Sequence, residues 1–136
     1  MVFTLASIGL AVGLSWVVYS GRVIGADVND PVWNQADGAS AAIGRWLADR
    51  GENDPIVMVN NPPGFTYQTG LPSIVVPYGG ESDLLRAADQ FGARWVVLDA
   101  NRPEPLAGVY AEPGSAERLR LHADFNHVYV FEILPH

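Results

Sequence analysis

The sequence predicts an α/β protein in which one N-terminal transmembrane helix precedes a small three-layer α/β domain. Three observations carry this prediction. The first 21 residues contain no charged side chain. Short apolar runs at 56–59, 73–76 and 95–98 then alternate with segments of helical periodicity, as expected for mostly parallel strands joined by helices. Beyond them, alternating polar and apolar residues predict a C-terminal antiparallel hairpin.

The composition limits the size and the function class of the protein. The 136 residues suffice for one compact domain and one accessory segment, and 49% of them are hydrophobic, enough for a packed core. Fifteen acidic residues face eight arginines and no lysine, giving a net charge of −7 that argues against nucleic-acid binding. The chain has no cysteine, which excludes disulfides, cysteine-ligated zinc and thiol catalysis. We expect no cofactor and no metal.

The predicted membrane segment covers residues 1–21. Val2 to Tyr19 is a mostly apolar run whose helical length is about 27 Å, close to the thickness of a bilayer core. No basic region precedes it, so a retained helix in the lipid bilayer is favoured over a signal peptide. Trp16 and Tyr19 would lie at the interface, with Arg22 just beyond them.

Gly9 and Gly13 form a small-xxx-small pair within this segment. Such pairs allow close packing, so other transmembrane helices are expected partners. Glycine is also common in membrane helices without such a role, and both interpretations stay open. Arg22 alone would place the following residues in the cytoplasm by the positive-inside rule.

Residues 22–30 are predicted as a linker and residues 31–136 as the α/β domain. Asp30 and Pro31 are typical of a helix start, and the amphipathic helix that follows is expected to end near Gly51. A second helix is predicted to end at Gly92. Residues 103–114 contain three prolines and are expected to form a loop with at most one helical turn. The hairpin strands are predicted at 119–125 and 128–133.

Candidate ligand-binding residues follow the strands, because ligands of open α/β sheets usually bind beyond the carboxyl ends of the strands. Asn60, Asn61 and Tyr67 come after the first strand and offer amide and phenol groups suited to sugar or carboxylate hydrogen bonds. The alternative is that this Asn- and Pro-rich segment only forms a turn.

A second group of candidates, Asp99, Asn101 and Arg102, follows the third strand. An aspartate in this position often serves as a catalytic or ribose-binding carboxylate. It is equally suited to an ion pair with a loop arginine. Both interpretations stay open at this point.

Other polar clusters give weaker signals. Tyr78-Gly79-Gly80 precedes a helix and resembles an anion-binding turn, but Glu81 and Asp83 in the first helical turn favour capping instead. The three histidines, His122, His127 and His136, lack metal-site spacing and are expected at the surface. The chain also lacks the glycine-rich nucleotide-binding motifs, the serine-hydrolase elbow and the zinc-protease motif.

The order of several short motifs resembles a known domain. Ile43-Gly44-Arg45-Trp46-Leu47 is followed by Ile56-Val57-Met58-Val59, and then by Asn61-Pro62-Pro63 and Tyr67-Gln68-Thr69-Gly70-Leu71-Pro72. Further along come Asp83-Leu84-Leu85, the segment from Phe91 to Asp99, and Val128-Tyr129-Val130-Phe131. This series resembles the C-terminal extracytoplasmic domain of polytopic glycosyltransferases that use polyprenyl-phosphate sugars. Protein mannosyltransferases that use dolichyl-phosphate mannose (glycosyltransferase family 39) and lipid A aminoarabinose transferases are of this kind.

The resemblance implies a role beside sugar transfer without catalysis by this chain. The catalytic carboxylate of that family lies in a loop far upstream of any position present here. We therefore expect a membrane-tethered, non-catalytic domain of such a transferase, in the cell membrane with its α/β part outside the cytoplasm, contacting a glycan or lipid-linked sugar. The alternative is a single-pass anchored binding or assembly module with no transferase role.

Overall fold

The computed structural model describes residues 2–21 and 32–135. The predicted linker at 22–30, with Arg22, the helix start at Asp30-Pro31 and His136 lie outside the described residues. The chain divides into two compact units, residues 1–38 and 39–136. The first unit contains α1 (Val2–Tyr19), and α2 (Val32–Asp49) begins in the first unit and ends in the second.

The predicted transmembrane helix over residues 1–21 is wrong. Across residues 2–21 and 32–135, no helix combines the length and the apolar character that crossing a bilayer requires. Gly9 and Gly13 lie on α1, and the packing predicted for them therefore lacks the spanning helix on which it depended.

The second unit is a small α/β domain. After α2 come β1 (Ile56–Val59), α3 (Pro62–Thr69), β2 (Ser73–Val75), α4 (Glu81–Phe91) and β3 (Ala93–Leu98). A 3-10 turn (Glu104–Leu106) leads into α5 (Ala107–Ala111), and β4 (Leu119–Asp124) and β5 (Tyr129–Ile133) follow.

The sheet is mixed rather than mostly parallel. Within the described part of the chain its strand order is β2-β1-β3-β5-β4. β1 pairs in parallel with β2 and with β3, whereas β5 pairs antiparallel with both β3 and β4. The predicted hairpin is thus formed, but its second strand lies inside the sheet because β5 pairs on both sides.

Apolar side chains fill both faces of the sheet. Because successive strand residues point to opposite faces, Met58 packs with α4 while its neighbours Val57 and Val59 pack with α2 and α3. The cluster on the α4 face is Met58, Val76, Leu84, Ala88, Ala93, Val96, Leu98, Leu106, Leu119, Phe131 and Ile133. The cluster on the α2 face is Ile43, Leu47, Val57, Val59, Phe65, Trp95, Val97 and Val130.

The segment after β1, expected as a loop, contains helix α3. Pro62 and Pro63 occupy the first helical positions, where a backbone N–H would have no intrahelical partner. Asn61 is the N-cap, and its Oδ1 accepts a hydrogen bond from the Gly64 N–H at 3.3 Å. Gly70 ends the helix in the left-handed region at φ 74°. Turn-forming residues therefore start and end a short helix here.

Candidate functional site

Two loops and the start of β5 meet at one end of the sheet. Asn60 follows β1 and Asp99 follows β3, and these parallel strands end at the same edge. β5 runs the opposite way, so Tyr129 at its start pairs with Leu98 at the end of β3. We call the group formed by Asn60, Asp99, Arg102, Tyr110 and Tyr129 the carboxyl edge.

Asn60 and Asp99 are joined by a side-chain hydrogen bond. Asn60 Nδ2 donates to Asp99 Oδ1 at 2.7 Å, and the backbone N–H of Asn101 donates to the same oxygen at 2.8 Å. Asp99 Oδ2 makes no hydrogen bond within the described ranges and remains a strong acceptor. Asn60 and Asp99, two predicted candidates that follow separate strands, are thus hydrogen-bonded to each other. Asp99 Oδ1 is engaged, and Oδ2 can accept a hydrogen bond from a ligand.

Arg102 lies one turn after Asp99 but does not pair with it. The Arg102 backbone N–H donates to the Asp99 carbonyl at 3.2 Å, while its guanidinium forms no ion pair with any carboxylate of the described residues. Its Nη1 donates to the Ala100 carbonyl at 3.0 Å. The interpretation of Asp99 and Arg102 as a loop ion pair is therefore wrong.

The Nε–H of Arg102 is buried and has no acceptor in the described part of the chain. An unsatisfied buried donor costs about 1–3 kcal/mol, so such groups are rare in folded proteins. A buried donor without an acceptor, in the same turn as a carboxylate with a free oxygen, marks the carboxyl edge as the strongest candidate site.

Tyr110 holds the Arg102 side chain in place. The guanidinium carbon lies 4.3 Å from the centre of the Tyr110 ring, a cation–π contact. Tyr110 is itself fixed, because its hydroxyl donates to the His127 carbonyl at 2.9 Å and its ring lies 5.0 Å from that of Tyr129. Neither tyrosine was a sequence candidate, and no periodic or motif signal connects either of them to Arg102.

The other predicted residues lie outside this group. The Asn61 side chain caps α3, so its amide oxygen is already engaged by a backbone N–H. The Asn101 side chain is exposed, and only its backbone N–H contacts Asp99. Tyr67 lies on α3 with 86% of its surface exposed. The structure therefore brings together Asn60, Asp99 and Arg102 from the six predicted binding residues.

The turn before α4 does not form an open anion site. The Asp83 carboxylate lies against Gly79 and forms an ion pair with Arg86, so a negative side chain fills the space that a bound anion would occupy. Glu81 and Asp83 lie in the first turn of α4, as the helix-capping interpretation predicts.

A second polar network lies toward the opposite end of β3 and β5, and no sequence motif predicted it. Arg50 Nη2 lies 3.1 Å from His122 Nδ1, and His122 Nε2 lies 2.8 Å from Glu132 Oε2. Arginine only donates and carboxylate only accepts, so these contacts fit an imidazole with its proton on Nε2. Arg94 reaches both Glu132 and Glu52, at 3.4 and 3.3 Å.

The network determines the charge state of Glu132. Burial acts to raise the pKa of the Glu132 carboxyl, but the hydrogen bonds from His122 and Arg94 and the positive charge of Arg94 outweigh burial and hold its pKa below the usual value. His122 is partly buried, with 19% of its side chain exposed, and packs edge-on against Trp46 and Trp95, whereas His127 is exposed as expected. Glu132 pairs with Arg94 and His122, and Arg94 also pairs with Glu52, which indicates a structural network.

Within the described ranges, no group of three or more histidine, cysteine or acidic side chains is placed to hold a metal ion. What the carboxyl edge offers is an acceptor, Asp99 Oδ2, and, in the same turn, an arginine with unused donors. That combination suits a ligand with both hydroxyl and acceptor oxygens. Comparisons with protein families, with characterised proteins and with solved structures find no match to this chain.

Proposed function

We propose that residues 39–136 form a non-catalytic sugar-binding domain that acts outside the cytoplasm beside a glycosyltransferase using polyprenyl-phosphate sugars. The observation that carries the proposal is the Asn60–Asp99 pair. Asn60 orients the Asp99 carboxylate so that Oδ2 accepts hydrogen bonds from a sugar. The resemblance of the chain to the C-terminal domains of such transferases supports the choice of sugar as the ligand.

A non-catalytic role agrees with the chemistry of the carboxyl edge. Asp99 Oδ1 accepts hydrogen bonds from Asn60 Nδ2 and from the backbone N–H of Asn101, which fix the orientation of the carboxylate. A carboxylate held in this way is suited to accepting a hydrogen bond from a ligand hydroxyl through its other oxygen. We therefore assign Asp99 to holding a sugar hydroxyl rather than to removing its proton.

The test is an NMR titration of the full ¹⁵N-labelled chain with methyl glycosides of mannose and glucose. We expect the side-chain amide signals of Asn60 and the backbone signal of Asn101 to shift, with a Kd of about 1 mM, or about −4 kcal/mol of binding free energy. Asp99→Ala is expected to abolish these shifts. Asp49→Ala, which removes an exposed carboxylate from the end of α2, is the matched control.

Three results would contradict the proposal. The absence of sugar-induced shifts at Asn60 and Asn101 would exclude sugar binding at this edge. Turnover of polyprenyl-phosphate mannose by the full chain, lost in Asp99→Asn, would show that the domain is catalytic. Binding of free glycans without binding of any polyprenyl-phosphate sugar would favour the alternative, a binding module with no transferase role.

A further inference from the structure

We propose that Arg102 makes the carboxyl edge selective for sugars that carry an oxyanion, either a carboxylate or a phosphate. This inference names the class of sugar and rests on the sugar-binding function proposed above. It comes from the unused donors of Arg102, which a neutral sugar hydroxyl satisfies less well than a charged oxygen.

The free donors of Arg102 lie on one edge of its guanidinium. Nη1 is engaged by the Ala100 carbonyl, which leaves the edge formed by Nε and Nη2. Neither atom has an acceptor in the described part of the chain. The two N–H bonds of this edge are nearly parallel and match the two oxygens of a carboxylate or phosphate.

The Arg102 side chain is preorganised for such a ligand. Stacking on Tyr110 fixes the plane of the guanidinium, and the hydrogen bond from Tyr110 to His127 fixes the ring beneath it. A side chain that is already ordered loses little rotamer freedom when it binds. The chain carries fifteen acidic residues, yet none of the described ones pairs with Arg102.

Asp99 selects against a bare anion. Its carboxylate belongs to the same turn as Arg102, and the net charge of the chain is −7, so an anion alone is repelled. A sugar that donates a hydroxyl to Asp99 Oδ2 and presents an oxyanion to Arg102 satisfies both groups. An acidic sugar therefore fits this edge better than a neutral sugar or a free anion.

The Nε–H of Arg102 reports directly on this contact. In the unliganded chain it is buried and without an acceptor, so we expect the neighbouring loop to shift slightly as the oxyanion reaches it. The ¹H–¹⁵N signal of Arg102 Nε in the full chain is thus the primary readout. The ligands are methyl glucoside, glucuronate, glucose 1-phosphate and inorganic phosphate. Comparing glucuronate with glucose 1-phosphate shows whether the site prefers a carboxylate or a phosphate.

We expect at least one of the two acidic sugars to bind about tenfold more tightly than methyl glucoside, the effect of about one charge-assisted hydrogen bond. Arg102→Gln is expected to remove this preference, so that neither acidic sugar binds more tightly than methyl glucoside. Tyr110→Phe keeps the ring and is expected to keep most of the preference. Arg45→Gln, which removes the same charge from an exposed position on α2, is the control.

The outcomes separate this inference from the proposed function. If methyl glucoside shifts Asn60 but both acidic sugars bind no more tightly, the oxyanion selectivity is wrong and sugar binding stands. If inorganic phosphate shifts the Arg102 signal while no sugar shifts Asn60, sugar binding is wrong and the inference fails with it. An unchanged preference in a folded Arg102→Gln variant would assign the selectivity to another residue and overturn the role of Arg102.

Discussion

At the scale of single residues, Asp99 and Arg102 differ in how many of their hydrogen-bonding groups have a partner within the fold. Two N–H donors occupy one oxygen of Asp99, whereas the buried Nε–H of Arg102 has no acceptor. The unmet donor is a cost to the free energy of folding, and a ligand that supplies the acceptor would remove it. Binding at the carboxyl edge should therefore also stabilise the domain.

Asp99→Ala is expected to lower the free energy of unfolding by about 1–3 kcal/mol, because Asn60 Nδ2 and the Asn101 N–H lose their acceptor. Asp99→Asn keeps a carbonyl oxygen in the same place and should cost less. Urea unfolding of both variants checks the order. Equal stability of Asp99→Ala and the unchanged chain would contradict the role of Asp99 in holding the two loops.

Glu132 should give the folded state a pH-dependent stability. Its pKa is lower in the folded chain than in the unfolded one, so its contribution is full above the unfolded pKa of about 4.3 and is lost as the pH falls through the folded value. We expect the chain to be more stable than Glu132→Gln at pH 7, with the difference shrinking below about pH 4. Denaturant unfolding at several pH values measures this difference.

Glu117→Gln is the control for Glu132, since it removes an exposed carboxylate outside the network. Its stability relative to the unchanged chain should vary little over the same pH range. A Glu132→Gln variant whose stability follows that of the unchanged chain at every pH would show that the contacts with His122 and Arg94 contribute nothing.

At the scale of elements, helix ends depend on backbone conformation more than on side-chain contact. Gly92 joins α4 to β3 with φ 70°, in the left-handed region that strains any residue with a Cβ. An added Cβ at Gly92 would meet no atom within 4 Å, so only the backbone opposes substitution.

Gly92→Ala is expected to lower the free energy of unfolding by about 1 kcal/mol, as measured by urea unfolding. Gly108 in α5 is the matched position, because a Cβ there also meets no atom within 4 Å and its φ is not positive. Gly108→Ala should leave stability unchanged or raise it slightly, since alanine favours the helix. If the two variants are equally stable, the left-handed conformation of Gly92 is not the cause.

The elements show which features the sequence could predict. Apolar runs at 56–59 and 95–98 gave β1 and β3, because buried strands need continuous apolar side chains. Helix α3 was missed because Asn61, Pro62 and Pro63 favour turns and helix starts equally. The run at 2–19 was predicted as a membrane span because it carries no charged side chain, but the helix α1 that it forms does not combine the length and apolar character that a span requires.

The candidate site was predictable only in part for a similar reason. Asn60 and Asp99 follow parallel strands, so the topology brings them together, and sequence position alone pointed to both. Tyr110 reaches Arg102 from the separate helix α5, and Tyr129 belongs to a strand that enters the sheet from the opposite direction. Contacts between distant segments with no shared pattern become visible only in the folded chain.

At the scale of the whole α/β domain, two apolar clusters on opposite faces of the sheet carry the fold. Phe131 is fully buried in the cluster on the α4 face, and Trp95 in the cluster on the α2 face. Successive residues of β3 and β5 point alternately into the two clusters. Loss of one large side chain from either cluster should therefore weaken the packing of the whole sheet.

Phe131→Ala is expected to lower the free energy of unfolding by about 3–5 kcal/mol, because it removes a buried ring and leaves a cavity. Phe91 is 53% exposed at the end of α4, and Phe91→Ala should cost much less. Thermal and urea unfolding of the two variants measure the contrast. Comparable losses at the two positions would contradict the assignment of Phe131 to the core.

Because β5 lies between β3 and β4, the sheet can be completed only after the C-terminal strand has been synthesised. During synthesis β3 leaves the ribosome with one edge unpaired, and that edge stays open until residues 129–133 have followed. The carboxyl edge is incomplete for the same interval, because Tyr129 and the carbonyl of His127 that anchors Tyr110 come late in the chain. A nascent chain stalled before residue 127 should therefore expose an aggregation-prone strand edge. In that chain the Tyr110 ring that supports Arg102 would lack the His127 carbonyl that anchors it.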